Sequence, residues 1–258
     1  MLVLPALRVA MGQKRGSSRP VVVETAEGRF LTKLRGAAQG AAPLVAEIIV
    51  AELAEALGLP VPRRVLVSLD AEVPCADRDQ ELVELLGFSH GINLGFTFME
   101  DARDIRPEEV ASAPEEFACP VLWLDALVQN VDRTPRNPNI LVWRRQRWLI
   151  DHGAALPFQY RWKAVREDSP RGAPFPLEGH LFASRAPALP RWDQRLAARL
   201  SREVLQHAVE QVPADLLRPL LPAGGQEDDG KLERRRRAYE AYLWKRLKAR
   251  PGAGFAGI

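Results

Sequence analysis

The chain has 258 residues, 47% of them hydrophobic and 27% charged, with a formal net charge of +3, which suits one large two-lobed domain or two modest ones with an ordinary enzyme surface. Its two cysteines, Cys75 and Cys119, fit no CxxC or Cys/His ligand spacing, so neither a structural zinc site nor a disulfide framework is supported and a reducing cytosol is the simplest expectation. The opening MLVLPALRVAMGQKRG has no basic segment ahead of its apolar run, and no stretch approaches the roughly 20 apolar residues that span a bilayer, so neither export nor insertion is expected.

Taken in chain order, residues 6–10 and 20–34 predict strands. PVVVET is rich in β-branched residues, Glu27–Gly28 marks a turn, and RFLTKL resumes the apolar alternation. From Pro43, LVAEIIVAELAEAL has helical spacing and stops at Gly58, with LPVP as terminator. VLVSLD (65–70) predicts a further strand, ELVELLG a short helical turn, and INLGFTFME (92–100) another strand. These elements predict a strand-rich N-terminal lobe over residues 1–100.

The C-terminal lobe, residues 101–258, has a different character. PVLWLDALVQN has the length and periodicity of a buried helix ending just before Asp132. ILVW and RWLI predict a hairpin whose turn region is RRQR, and a Pro-rich segment from Leu156 to Pro190 looks too irregular to pack. Two helices are expected after it, over 192–212 and 232–249, separated by PAGGQEDDG.

The chemistry concentrates in QNVDRTPRNPNILV and the following RWLIDHG. Phosphoryl transfer from ATP needs a carboxylate near the attacking hydroxyl and oxygen ligands for Mg²⁺, which commonly sits on one or two carboxylates plus phosphates and waters. A loop carrying Asp132 and Asn137 five residues apart, followed by a hairpin that returns Asp151, gathers three such oxygens. Protein kinases use the same order, a catalytic-loop Asp-x₄-Asn and then Asp-Phe-Gly; here the triplet is Asp151-His152-Gly153. Asp-x₄-Asn alone also describes an Asx-rich turn, and the second element is what separates the readings. Upstream, Lys33 lies in the strand RFLTKL and Glu47 early in the next helix, 14 residues on, as in the kinase Lys–Glu pair. GQKRGSSR at 12–19 offers Gly16, Ser17, Ser18 and backbone N–H groups where a flap would cover phosphates, although it is not GxGxxG.

Together the stretches RGSSRP, FLTK, QGAAPLVAE, GLPVP, HGINLG, LDALVQNVDRTPRNPNIL and IDHGAAL resemble the HipA-like kinases, in particular the small stand-alone bacterial branch. They occur in the family's order from about residue 12 to residue 156. The resemblance implies an α+β, bilobal protein-kinase-like fold related to protein and phosphatidylinositol kinases, with the nucleotide held between the lobes. It implies Lys33 as the lysine on the nucleotide phosphates with Glu47 as its partner, Asp132 as catalytic base, and Asn137 and Asp151 as Mg²⁺ ligands. Asn139 stands in the same pattern and is an alternative to Asn137. In toxin-type relatives the phosphate-covering loop is itself phosphorylated, which makes Ser17 and Ser18 candidate acceptors.

The expected activity is ATP- and Mg²⁺-dependent transfer to a hydroxyl acceptor, a Ser/Thr kinase acting on a protein and capable of autophosphorylation, with a translation factor or tRNA-charging enzyme as acceptor if the toxin relatives are a guide. The alternatives are a lipid or small-molecule kinase, and a nucleotide-binding pseudokinase serving as a regulatory module. The resemblance leaves an antitoxin-like partner open. In the C-terminal helix KLERRRRAYEAYLWKRLKAR, Leu232, Tyr239, Leu243 and Leu247 share one stripe, so packing by that stripe with a solvated basic face is expected. The basic residues are not interleaved with the aromatics of a stacking platform, so nucleic acid is not expected as the primary ligand.

Overall fold

A computed structural model of the chain describes residues 1–12, 19–37, 39–77, 79–172, 175–222 and 228–249. It divides into two compact units, one of Met1–Val45, Pro62–Glu100 and Pro213–Asp228, the other of Ala46–Val61, Asp101–Val212 and Asp229–Ile258.

The first unit is built on strands β1 (Val3–Pro5), β2 (Arg8–Gly12), β3 (Val21–Thr25), β4 (Gly28–Lys33), β5 (Arg64–Leu69) and β6 (Gly91–Thr97). Their order is β1-β5-β6-β4-β3-β2, with β1 parallel to β5 and the other pairs antiparallel. The strand expected at 6–10 forms only from Arg8 onward, as β2, while residues 6 and 7 link it to β1, which lies before the expected range. Ala6 donates its N–H to Ser68 O and Leu7 donates to Glu24 O, so the chain changes partner strand between adjacent residues. Strands joined by two residues lie at opposite ends of the sheet order, which requires the sheet to curl. Val21, Val23, Phe30, Val65 and Val67 fill its inner face. Gly95 of β6 leaves room for the side chains beside it: a Cβ there would meet Val67 Cγ2 at 2.8 Å and Phe30 Cβ at 3.1 Å. The expected helices form as α1 (Ala42–Ala56), within which the division between units falls, and α2 (Gln80–Gly87), capped by the Asp79 carboxylate on the N–H groups of Glu81 and Leu82.

The second unit begins with β7 (Arg103–Asp104), α3 (Pro107–Ala111) and α4 (Glu115–Val128), then the hairpin β8 (Ile140–Trp143) and β9 (Gln146–Leu149). β7, β8 and β9 form a small antiparallel sheet. Helix α4 starts one turn ahead of the expected Pro120, which sits inside it, and every residue from Ala118 to Val128 is buried. The hairpin turn is narrower than RRQR: Arg144 and Arg145 make it, and Gln146 and Arg147 are already in β9.

The Pro-rich segment packs after all. Its described residues form short 3₁₀ turns and α5 (Ser169–Gly172) and bury Phe158, Gln159, Phe175, His180 and Phe182. Single large aromatics bury it without a regular period, which is why periodicity does not reveal it. The helix expected over 192–212 is two, α6 (Leu189–Ala197) and α7 (Arg202–Glu210), because Ser201 caps the second by accepting the Val204 N–H at 3.4 Å. The chain then returns to the first unit for α8 (Ala214–Leu217) and re-enters the second as α9 (Asp229–Ala249). Leu232, Tyr239, Leu243 and Leu247 are buried as the stripe requires. The basic face is only partly solvated, since Arg246 is 3% exposed and donates to the carbonyls of Ala126 and Leu127 at 2.8 and 2.7 Å. Those are orphan carbonyls of the α4 C-terminus, so a cation from α9 ties down the helix end from which the Asp132 loop departs.

Candidate active site

Helix α4 stops at Gln129, whose left-handed backbone (φ 59°) turns the chain into the loop 130–139. Asp132 sits in this loop and is half-buried. Its Oδ2 accepts from Asn137 Nδ2 at 2.9 Å and from Asn139 Nδ2 at 3.2 Å, while its N–H is held by Asn130 Oδ1 at 3.2 Å. The loop therefore fixes the carboxylate through two amides five and seven residues downstream. Asn137 is exposed and Asn139 is 7% exposed with a left-handed backbone (φ 48°), so both expected candidates face the same aspartate.

Asp151, also left-handed (φ 56°), lies two residues past the end of β9 at Leu149. Both its neighbours are bound to the 130–139 loop. The Ile150 N–H donates to Asn139 O at 3.1 Å, and His152 Nδ1 lies 3.4 Å from Arg133 Nη2. A guanidinium only donates, so that contact requires Nδ1 to be the lone-pair nitrogen of His152. Gly153 donates its N–H to Glu47 Oε1 at 3.1 Å.

What makes the loop rigid was not among the expected site residues. Asp125, in the last turn of α4 and 1% exposed, accepts from Arg133 Nε at 2.6 Å, Asn130 Nδ2 at 3.1 Å and His180 Nε2 at 3.0 Å. Arg133, fully buried, also donates to Asn139 O at 2.5 Å. His180 Nδ1 accepts the Phe182 N–H at 3.0 Å, which places its proton on Nε2, aimed at Asp125. Burial would raise the Asp125 carboxyl, but the Arg133 charge and the His180 hydrogen bond outweigh it and hold the group at about 2. Two signals in the sequence pointed here: a carboxylate inside the apolar run VLWLDALV, and an arginine immediately after Asp132. His180 had none.

In the first unit, Lys33 ends β4, is 8% exposed, and has its Nζ 6.0 Å from the Phe96 ring centre. Glu47, in the second, lies in the first turns of α1 and is completely buried. Gly16, Ser17 and Ser18 of the expected phosphate flap lie outside the described residues. A cleft of about 770 Å³ lined by Gln129, Phe158, Tyr160 and Tyr242 includes none of the candidate residues.

No group of three or more His, Cys, Asp and Glu side chains that could hold a metal ion occurs among the described residues. The donor set nonetheless suits magnesium, which needs one or two carboxylates and otherwise takes amide, phosphate and water oxygens. Asn137 and Asn139 each turn an amide nitrogen to Asp132, leaving their carbonyl oxygens for other partners.

The family model described as HipA-like kinase matches residues 7–168, more than half of the chain and the whole span that carries the candidate residues from Gly16 to Asp151. No curated protein sequence matches. Among solved structures, the crystal structure of a Helicobacter pylori proinflammatory kinase, CtkA, is similar with a TM-score of 0.55 at 11% identity, over 89% of this chain and 92% of that one. At that identity the likeness speaks for the fold, and it supports the α+β kinase-like architecture expected from the sequence. No helix among the described residues is long and apolar enough to cross a membrane. The chain belongs to the HipA-like kinase family.

Proposed function

We propose that this kinase transfers the γ-phosphoryl group of ATP, with Mg²⁺, to a serine or threonine hydroxyl of a protein, its own chain included. The observation that supports this best is the common anchoring of Asp132 and Asp151. One carboxylate is held by two amides of the loop, and the other is flanked on both sides by bonds to the same loop. Residues 1–100 take the nucleotide role in this reading and residues 101–258 the catalytic role.

Asp132 orients the acceptor hydroxyl and takes its proton as the oxygen attacks the γ-phosphorus. The new O–P bond forms while the bond to ADP breaks, and the proton leaves on the Asp132 carboxylate. The amides of Asn137 and Asn139 keep one Asp132 oxygen hydrogen-bonded and aim the other at the acceptor. Asp151, with Asn137 or Asn139, would hold magnesium, which when bound neutralises charge on the β- and γ-phosphates. The family resemblance assigns Lys33 the role of the phosphate lysine and Glu47 that of its partner, and it assigns Gly16, Ser17 and Ser18 to phosphate binding.

Intact-mass analysis after incubation with ATP and Mg²⁺ tests the reading: one or more added phosphates are expected, and none in Asp132→Asn. ATP turnover without phosphate on the protein would move the acceptor to a lipid or small molecule. ATP binding without turnover would identify a pseudokinase.

A further inference from the structure

At the tip of the β8–β9 hairpin, at the opposite end from Asn139 and Asp151, lies a cleft of about 440 Å³ walled by Asp101, Arg103, Glu109, Arg144, Arg145 and Arg147. Its charges do not cancel. Arg103 grips Glu109 with both terminal nitrogens at 2.7 Å, and Glu109 Oε2 also accepts the Arg106 N–H at 3.0 Å, so this carboxylate is occupied. Arg144, Arg145 and Arg147 have no carboxylate partner among the described residues. Arg144 lies over the Trp143 ring, 4.2 Å from its centre, and Arg147 packs toward Phe117 at 5.7 Å, which restrains two of the three guanidinium groups. The Arg147 Nε is buried with no hydrogen-bond partner.

The turn itself is unfavourable for the residues it carries. Arg144 and Arg145 have φ of 49° and 64°, the two consecutive left-handed positions of a hairpin turn that suits Asn-Gly. The hairpin itself gains from these arginines only the Arg144 contact with Trp143, whereas both line the cleft.

We propose that this cleft binds a phosphorylated side chain of a protein acceptor. The volume is bounded and the wall is interrupted by Asp101 and Glu109. A continuous polyanion such as nucleic acid requires an unbroken basic track, so a compact dianion fits better. Guanidinium forks match phosphoryl oxygens bidentately. The role, though not the binding, rests on the kinase reading above. From Asn139 to Arg144 the hairpin extends roughly 15 Å at about 3.3 Å per residue. A phosphorylated residue held at the tip would therefore lie four or five extended residues from a hydroxyl presented to Asp132, and the site would select acceptors already phosphorylated nearby.

The test is fluorescence anisotropy without ATP, using two labelled peptide pools with random flanks, one built around phosphoserine and the other around serine. The proteins are the parent chain, Arg144→Ala/Arg145→Ala, the charge-retaining Arg144→Lys/Arg145→Lys, and a control, Arg234→Ala/Arg237→Ala, that removes the same charge from exposed positions of α9. The parent and control should favour the phosphoserine pool at least tenfold, the alanine variant should lose that preference, and the lysine variant should keep only part of it. ATP binding should be equal in all four, so failure here is distinguishable from failure of the kinase reading. Absence of phosphoserine preference in the parent overturns the proposal, as does its survival in the alanine variant or equal loss in the control. Competition by inorganic phosphate as effective as by phosphopeptide would make this a free-phosphate site, and preferential binding of a single-stranded oligonucleotide through the same arginines would make it a nucleic-acid site; either result overturns the proposal.

Discussion

Glu47 Oε1 accepts the backbone N–H of Gly153 at 3.1 Å, joining residues 106 positions apart. The bond lies inside the second unit and pins the Asp151-His152-Gly153 turn to α1, so Glu47 has a structural task beside the phosphate-orienting one proposed for it. Substitutions separate the two tasks. Glu47→Ala leaves a buried N–H without its acceptor and should cost roughly 1–3 kcal/mol in denaturant unfolding. Glu47→Gln retains a carbonyl for Gly153 but loses the charge, so it should unfold nearly as the parent does while binding ATP more weakly. A Glu47→Ala chain as stable as the parent would contradict the pinning role.

Asp125→Asn should be among the most destabilising changes in the second unit. It leaves the buried Arg133 guanidinium without its carboxylate, a loss of about 3–5 kcal/mol for a broken buried pair. Because the folded-state value of Asp125 is depressed, its contribution to stability is complete above the unfolded value near 3.8 and disappears as pH falls toward about 2. Acid unfolding followed by circular dichroism should therefore show a component between about pH 4 and pH 2 in the parent that Asp125→Asn lacks. Identical acid profiles would refute the charge pairing.

Lys33→Ala should weaken ATP binding and turnover while the sheet stays intact, since Lys33 is the last residue of β4 and its backbone pairing with Leu94 does not depend on the side chain. Arg should not rescue it, because a planar guanidinium is a poor replacement for a compact ammonium in a confined site. Unchanged turnover in a folded Lys33→Ala protein would remove Lys33 from the site.

Phosphopeptide mapping after incubation with ATP should find label on Ser17 or Ser18. A phosphate there would be repelled by those of bound nucleotide and would displace the covering segment, so phosphorylation should lower turnover. Label found elsewhere and none between Gly12 and Pro20 would discard self-inhibition through this segment.

The candidate constellation was legible because its spacing is local. Asp132, Asn137 and Asn139 share one loop, and a short hairpin leads to Asp151, whose neighbours Ile150 and His152 are bonded to that loop. The Asp125–His180 contact joins residues 55 apart through a segment with no periodic signal, and local pattern carries no information about it. The packing of Phe158 on Tyr242, with ring centres 3.7 Å apart, was hidden for the same reason. Arg246 shows a different limit: its position in a basic helix reads as solvated, and only the arrival of the α4 carbonyls explains its burial.

The central claim is that Asp132 serves the acceptor hydroxyl and Asp151 the metal. Calorimetric titration of Asp132→Asn and Asp151→Asn with ATP, with and without Mg²⁺, tests it most directly, since binding is read without knowledge of the acceptor. Asp151→Asn removes a negative charge from a divalent cation site, so Mg²⁺-dependent binding should weaken together with turnover. Asp132→Asn should bind Mg·ATP nearly as the parent does and lose transfer by roughly 10²–10⁴-fold, because proton abstraction acts in the transition state. Loss of Mg²⁺-dependent binding in Asp132→Asn with retention in Asp151→Asn would reverse the roles, and unchanged binding and autophosphorylation in both would contradict the account.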